Sequence, residues 1–280
     1  MRTMRRAFAT CLLGALSVTA ARAEAQVLYA NGFNPNAGPT QYQGIWDQAG
    51  VGIGGSNVST LQPTSGTFGF SASIGSNNVV ADNFTVGAGE TWVISAIWLY
   101  AYQTSAISFP FTSANVSVTG ADPNGAAIFS ETGASVAQGA GGIVARRATS
   151  GALGSDSRQI REIVITLASS WTLGAGDYSL RWALGAPNNT FVAPIVPTNG
   201  GGNARQSVGG GSFNLLADTG TGVNVELPFA LIGSTSASTT VPEPSTFVLV
   251  GLIGLVGAPV ALRRRLRGGQ VTANSSEATV

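Results

Sequence analysis

Residues 178–184 read YSLRWAL. Tyr178, Leu180, Trp182 and Leu184 fall on one side of the alternation, and Ser179, Arg181 and Ala183 on the other. Successive side chains of an extended chain point to opposite faces, so a period of two predicts a β-strand with one face in a core. Gly174-Ala-Gly-Asp177 just before it has the composition of a turn. Working outward, Ile163, Ile165 and Leu167 alternate with Glu162, Val164 and Thr166. Trp92, Ile94, Ala96, Trp98, Tyr100 and Tyr102 are expected on one face of a further strand and Val93, Ile97 and Leu99 on the other, a strand buried on both sides. Similar patterns cover Val79 to Val86, Ala114 to Val118 and Leu227 to Leu231. Gly87-Ala-Gly89, Asp122-Pro-Asn-Gly125 and Asp218-Thr-Gly220 punctuate them as turns.

No stretch of the middle region sustains a 3.6-residue apolar period with caps. Many short strands with glycine-rich turns predict an all-β fold, an antiparallel β-sandwich of jelly-roll or immunoglobulin-like type. Residues 26–232 are read as one such domain, with the glycine-rich stretch from Gln138 to Ser157 as a long loop.

Composition removes whole classes of chemistry. Charged residues make up 10% of the 280-residue chain, against roughly 25% in ordinary soluble domains. All 14 basic residues are arginine, histidine is absent, and the single cysteine is Cys11. Catalytic Ser-His-Asp, Cys-His and Ser-Lys arrangements are thereby excluded, as are nitrogen- or sulfur-ligated zinc and a lysine phosphate loop. Gly50-x-Gly52-x-x-Gly55 has a dinucleotide-loop spelling, but Pro63 and small polar residues follow it where a helix is needed. Between Gln26 and Val241 six arginines stand against ten acids, a net of −4, which does not favour nucleic acid as a partner.

The basic charge sits mostly at the ends. Arg2, Arg5 and Arg6 precede an apolar stretch from Ala7 to Ala20, followed by Ala21-Arg22-Ala23 and Ala23-Glu24-Ala25. These are the three parts of a secretory signal peptide, 1–25, with cleavage expected after Ala25 and Ala23 as the second choice. Such a leader implies a secretion translocon and a signal peptidase as partners. A lipid anchor through Cys11 fits poorly, because Phe8-Ala9-Thr10 lacks the expected Leu-x-small pattern.

At the other end Phe247 to Leu262 is uncharged for 16 residues, roughly 24 Å as a helix. Extended by Thr246, the segment 246–262 is expected to span a membrane. The cluster Arg263, Arg264, Arg265 and Arg267 would hold its end in the cytoplasm. Pro242-Glu243-Pro244 is a stiff, extended strap just outside it. Residues 233–241, rich in Ser and Thr, read as a flexible linker, and 268–280 as a disordered tail.

In this order, Val241-Pro-Glu-Pro-Ser245, apolar helix and arginine cluster, residues 242–267 resemble the PEP-CTERM sorting signal of exopolysaccharide-making Gram-negative bacteria. That resemblance implies an exosortase-type membrane enzyme as partner, brief anchoring in the inner membrane, and delivery to the cell surface or matrix. The tail from Gly268 to Val280 departs from it, since such signals commonly end soon after the basic cluster. Leu28-Tyr29-Ala-Asn-Gly32, Ala81-Asp-Asn-Phe-Thr-Val86 followed by Trp92-Val-Ile-Ser, and Tyr100-Ala-Tyr-Gln103 are similar to front domains attached to this signal. Those domains are mostly of unassigned activity.

Within the domain, Trp92, Trp98, Trp171 and Trp182 are the candidate ligand-facing aromatics for exopolysaccharide, though alternating aromatics are also what a sandwich core requires. Asp82, Glu90, Glu131, Asp156, Glu162 and Asp177 are the acids that a carboxylate-based glycosidase would draw on, but no spacing pairs any two of them. Asp122, Asn124 and Asp218 offer oxygens for calcium in turn contexts that simple turn chemistry explains better, and Asp82 and Asn83 read as shaping the start of a strand. No catalytic residue, metal site or cofactor is assigned. The expectation is an exported, non-enzymatic protein with a structural or adhesive role, with a carbohydrate-binding module as the alternative.

Overall fold

In a computed structural model the described residues are 25–31, 58–61, 67–149, 151–193, 202–220 and 222–237. The segment 1–24, the Pro-Glu-Pro strap, the apolar stretch 246–262 and the arginine cluster lie outside them. Among the described residues no helix is long and apolar enough to cross a membrane. The only helical element there is a 3-10 turn at Ile74–Ser76.

The strands are β1 (Gln26–Asn31), β2 (Val58–Thr60), β3 (Phe70–Ser71), β4 (Val79–Val86), β5 (Glu90–Ala101), β6 (Ser113–Gly120) and β7 (Phe129–Ala134). They continue as β8 (Val136–Ala148), β9 (Gln159–Leu173), β10 (Gly176–Gly185), β11 (Phe191–Val192), β12 (Arg205–Ser207), β13 (Asn214–Leu215) and β14 (Phe229–Ala237). One six-stranded sheet runs β1-β14-β5-β9-β8-β2, a second β13-β12-β4-β10-β6-β7, and β11 with β3 forms a small third sheet. Every pairing is antiparallel except β2 with β8. The chain crosses between the two large sheets from β4 to β5, β5 to β6, β7 to β8 and β9 to β10. This places β1-β14-β5-β9 opposite β4-β10-β6-β7, the double Greek key of a jelly roll, and selects that fold over the immunoglobulin-like alternative.

The two sheets close on one apolar layer. Val80, Phe84, Leu180 and Trp182 from the second sheet meet Ile97, Leu99, Ile163 and Phe229 from the first. Burying a large apolar side chain contributes about 1.5–3 kcal/mol each, so this layer is the main stabilising term. A smaller cluster lies on the other face of β5, where Tyr100 and Tyr102 pack with Val144, Ala145 and Ile160. β5 is therefore buried on both sides.

Its facing differs from the simple alternation. Against β14 the register shifts between Ile232 and Gly233, so that Ser95 is an extra residue in β5. A one-residue bulge exchanges the two faces of a strand from that point on. Trp92 and Ile94 before it, and Ile97, Leu99 and Ala101 after it, all join the inter-sheet core, while Trp98, Tyr100 and Tyr102 face outward.

Two further expectations change. The stretch from Gln138 is not a long loop up to Ser157: β8 continues to Ala148, bulged between Gln138 and Ile143 where its register with β9 shifts. The linker is shorter than its composition suggests, because Gly233 to Ala237 are the second half of β14, paired with Ile94 to Glu90. The Ser and Thr residues there occupy a strand whose exposed face tolerates polar side chains.

Candidate functional site

Where the end of β1, the middle of β4 and the segment leading into β14 converge, a buried carboxyl group, Asp82, meets a part-exposed one, Glu226. Asp82 belongs to the Ala81-Asp-Asn-Phe run of β4, and pairing with Leu180 of β10 fixes its position. Rather than shaping a strand start, it is a mid-strand carboxyl only 2% exposed. Its Oδ2 accepts from the Leu227 amide at 2.6 Å and from Asn31 Nδ2 at 3.0 Å, and its Oδ1 accepts from the Asn83 amide at 2.7 Å. The second acid is Glu226. Its Oε2 accepts from the same Asn31 Nδ2 at 3.2 Å and its Oε1 from the Asn203 amide at 3.2 Å. Asn31 Nδ2 also donates to the Leu227 carbonyl at 3.0 Å.

The electrostatics follow from burial and from like charge. Loss of water raises the Asp82 carboxyl well above its ordinary range, and the neighbouring Glu226 raises it further, against the lowering pull of the Leu227 and Asn83 amides. Tyr29, whose hydroxyl donates to the Asn83 carbonyl at 3.3 Å, is pushed up too, first by burial and then by these two acids. A cavity of about 100 Å³ adjoins Asp82, lined also by Asn203, Ser179 and Arg205. That is well below the roughly 300 Å³ at which pockets begin to hold small organic ligands. It suits an ion or a few waters, not a sugar ring held between two acids.

The pair was not visible in the sequence. Glu226 sits between Val225 and Leu227 in a short apolar run, and only the fold brings it to Asp82. The six acids singled out earlier do not come together. Glu90 accepts from Trp92 Nε1 at 2.9 Å, Glu131 from the Ala168 amide at 3.0 Å, and Asp177 from Thr85 Oγ1 at 2.7 Å. Asp156 pairs with Arg146, and Glu162 accepts from the Gly141 amide at 3.2 Å. Each fastens a turn or a strand edge. Asp122 accepts from the Asn124 backbone and side-chain amides at 2.9 and 3.1 Å, an Asx turn, and Asp218 receives the Gly220 amide at 2.9 Å in the same manner.

Three of the four candidate tryptophans lie in the core: Trp92 is 5% exposed, Trp171 4% and Trp182 0%. Their ring faces are occupied by protein. Phe84 stacks on Trp92 at 6.2 Å, Phe129 on Trp171 at 5.8 Å, and Phe229 lies 5.7 Å from Trp182. Trp98 is half-buried against the smaller cluster. A shallow polar groove of about 450 Å³ opens elsewhere, lined by Gln103, Thr104, Asn188, Asn189 and Phe191.

Of the expected signal cleavage residues, Ala25 is exposed and immediately precedes β1, while Ala23 lies outside the described residues. Pro242, Glu243, Pro244 and Arg263, Arg264, Arg265 and Arg267 also lie outside them. A family model for the PEP-CTERM protein-sorting motif matches residues 240–265. No curated protein matches the chain. The motif marks an exported protein sorted through an exosortase.

Proposed function

We propose that this chain, a β-sandwich joined to a PEP-CTERM sorting motif, is a cell-surface or extracellular-matrix protein with a structural or adhesive rather than catalytic role. The observation that carries the reading is the motif at 240–265, which begins three residues beyond Ala237, the end of β14. A leader at 1–25 delivers the chain to the translocon and is removed by signal peptidase. The apolar segment 246–262 then holds it in the inner membrane until the exosortase acts at the Pro242-Glu243-Pro244 strap. The tested variant is P242A/E243A/P244A in the native host, followed by fractionation and intact mass. A full-length chain retained in the inner membrane is expected, and unchanged processing would overturn the assignment.

A second reading, contact with exopolysaccharide, is favoured by the groove of Gln103, Thr104, Asn188 and Asn189 beside Phe191. The exposed Asn188 and Asn189 amides and one aromatic edge are groups that hydrogen-bond and pack on a sugar. Pull-down with the host's purified polysaccharide should be lost in N188A/N189A if this groove is the contact. Binding that survives this variant would place the contact elsewhere.

A further inference from the structure

The boundary between leader and domain falls at a residue with chemistry of its own. Removal of the leader after Ala25 makes Gln26 the first residue of the mature chain. It thereby creates an α-amine so placed that bonding to the side-chain amide carbon closes a five-membered ring. The structure leaves both groups free to react. Ala25 is exposed and precedes the strand, and Gln26 is the exposed first residue of β1. β1 is the outer strand of its sheet, with β14 on one side only. Gln26 stands opposite Gly233, so the residue directly across the ladder has no side chain to crowd it. Among the described residues no hydrogen bond holds the Gln26 side-chain amide. Timing also permits the cut. β14 is the strand that pairs with β1, and it is made after every other described strand. Before β14 has been delivered, β1 has no partner and the Ala25–Gln26 bond is open to signal peptidase.

We propose that Gln26 becomes the blocked amino terminus of the mature protein, as a pyroglutamyl residue; the inference rests on the proposed leader cleavage after Ala25. The unprotonated α-amine nitrogen attacks the side-chain carbonyl carbon, Cδ. The N–Cδ bond forms, the Cδ–Nε2 bond breaks, and a proton passes from the amine to the departing Nε2, which leaves as ammonia. No oxidant, metal or cofactor enters the balance. The product keeps one N–H and the backbone carbonyl, so β1 can still pair with β14 at this position. What it loses is the terminal positive charge and the free amine that an aminopeptidase must grip. Proteolysis concentrates at termini that are not tied down, and this one is both paired and blocked. A cut after Ala23 would instead leave Glu24 and Ala25 ahead of β1 and keep Gln26 internal, its nitrogen already an amide.

The test takes the protein from its native host, cuts it with an endoproteinase that cleaves before aspartate, and reads the mass of the amino-terminal fragment. Asp47 is the first acid after Gln26, so the fragment is residues 26–46. Most of it should be lighter by one ammonia than the encoded sequence, and refractory to stepwise degradation until treated with pyroglutamyl peptidase. A synthetic peptide of residues 26–46 carried through the same steps gives the cyclisation caused by handling. Q26N, whose shorter side chain would have to close a strained four-membered ring, should give a fragment with a free amine. A native fragment that begins at Gln26 with a free amine, or is no more cyclised than the peptide, would overturn the proposal and leave the leader assignment standing. A Q26N fragment blocked to the same extent would place the block in other chemistry and overturn it as well. A fragment that begins at Glu24, or a chain that keeps residues 1–25, would overturn the cleavage assignment and the proposal with it.

Discussion

Gly233 in β14 lies so close to Val93 in β5 that a Cβ on it would stand 2.0 Å from the Val93 carbonyl oxygen. The contact falls where the β14–β5 register shifts around Ser95, so the bulge that sets the facing of β5 rests on a residue with no side chain. Both partners are backbone in the interior of the sheet, and neither can move aside cheaply.

Gly233→Ala should therefore cost about 2 to 3 kcal/mol, at the upper end of overpacking penalties. Gly120→Ala, at a position where nothing lies within 4 Å of the added atom, should change stability by less than about 0.5 kcal/mol. Urea unfolding of the two variants measures the difference.

Arg147 is a buried cation with a structural duty. It is 1% exposed, and donates from Nε to the Phe68 carbonyl at 2.9 Å, from Nη1 to Ser59 Oγ at 2.9 Å and from Nη2 to the Thr67 carbonyl at 3.1 Å. Burial lowers its pKa to about 10, while Tyr102 and Asp218 pull it back up. Arg147→Leu leaves three acceptors without these donors and should cost about 3 kcal/mol or more. Arg147→Lys keeps the charge but not the fork, and should recover less than half of that loss. Equilibrium denaturation with matched m-values checks both.

Asp82 makes stability depend on pH in a definite direction. Its carboxyl is raised in the folded state above the ordinary value of 3.8, so the folded chain holds a proton that the unfolded chain releases. The contribution is full below 3.8 and is lost as pH rises through the raised value. The melting temperature should fall across that interval, and Asp82→Asn should flatten the fall. A profile identical in the variant would show that this carboxyl does not titrate on unfolding.

The tryptophans should separate by position. Trp182→Ala, in the inter-sheet core against Phe229, is expected to cost about 3 to 5 kcal/mol. Trp98→Ala, half-buried on the outer face, should cost about 1 to 2 kcal/mol. Thermal melts monitored by far-ultraviolet dichroism distinguish the two without reliance on tryptophan fluorescence.

How much of this was legible depended on the range of the interaction. Val80, Phe84 and Val86 keep one face of the 79–86 run apolar, interrupted by Asp82, and the run forms β4 at those bounds; the Tyr178 to Leu184 pattern lies within β10. Period-two spacing encodes such strands locally. The facing of β5 was lost at Ser95, because a bulge leaves composition unchanged while shifting phase. β8 was hidden by Gly139, Gly141 and Gly142, which read as loop residues; yet a Cβ on Gly139 would stand within 1.9 Å of the buried Glu162 carboxylate. Asp82 and Glu226 are 144 positions apart, and no local pattern foretells their meeting.

The place of β14 in its sheet carries one more consequence. Synthesis delivers the amino end first, yet the strand that belongs between β1 and β5 is the final one made among the described residues. The principal sheet thus stays open between β1 and β5 until Ala237 has appeared, and by then only two residues separate the growing end from the start of the sorting motif. Maturation of the cargo and arrival of its address are consequently near-simultaneous events, and a truncation that removes the address by cutting into β14 would also leave the cargo unfinished.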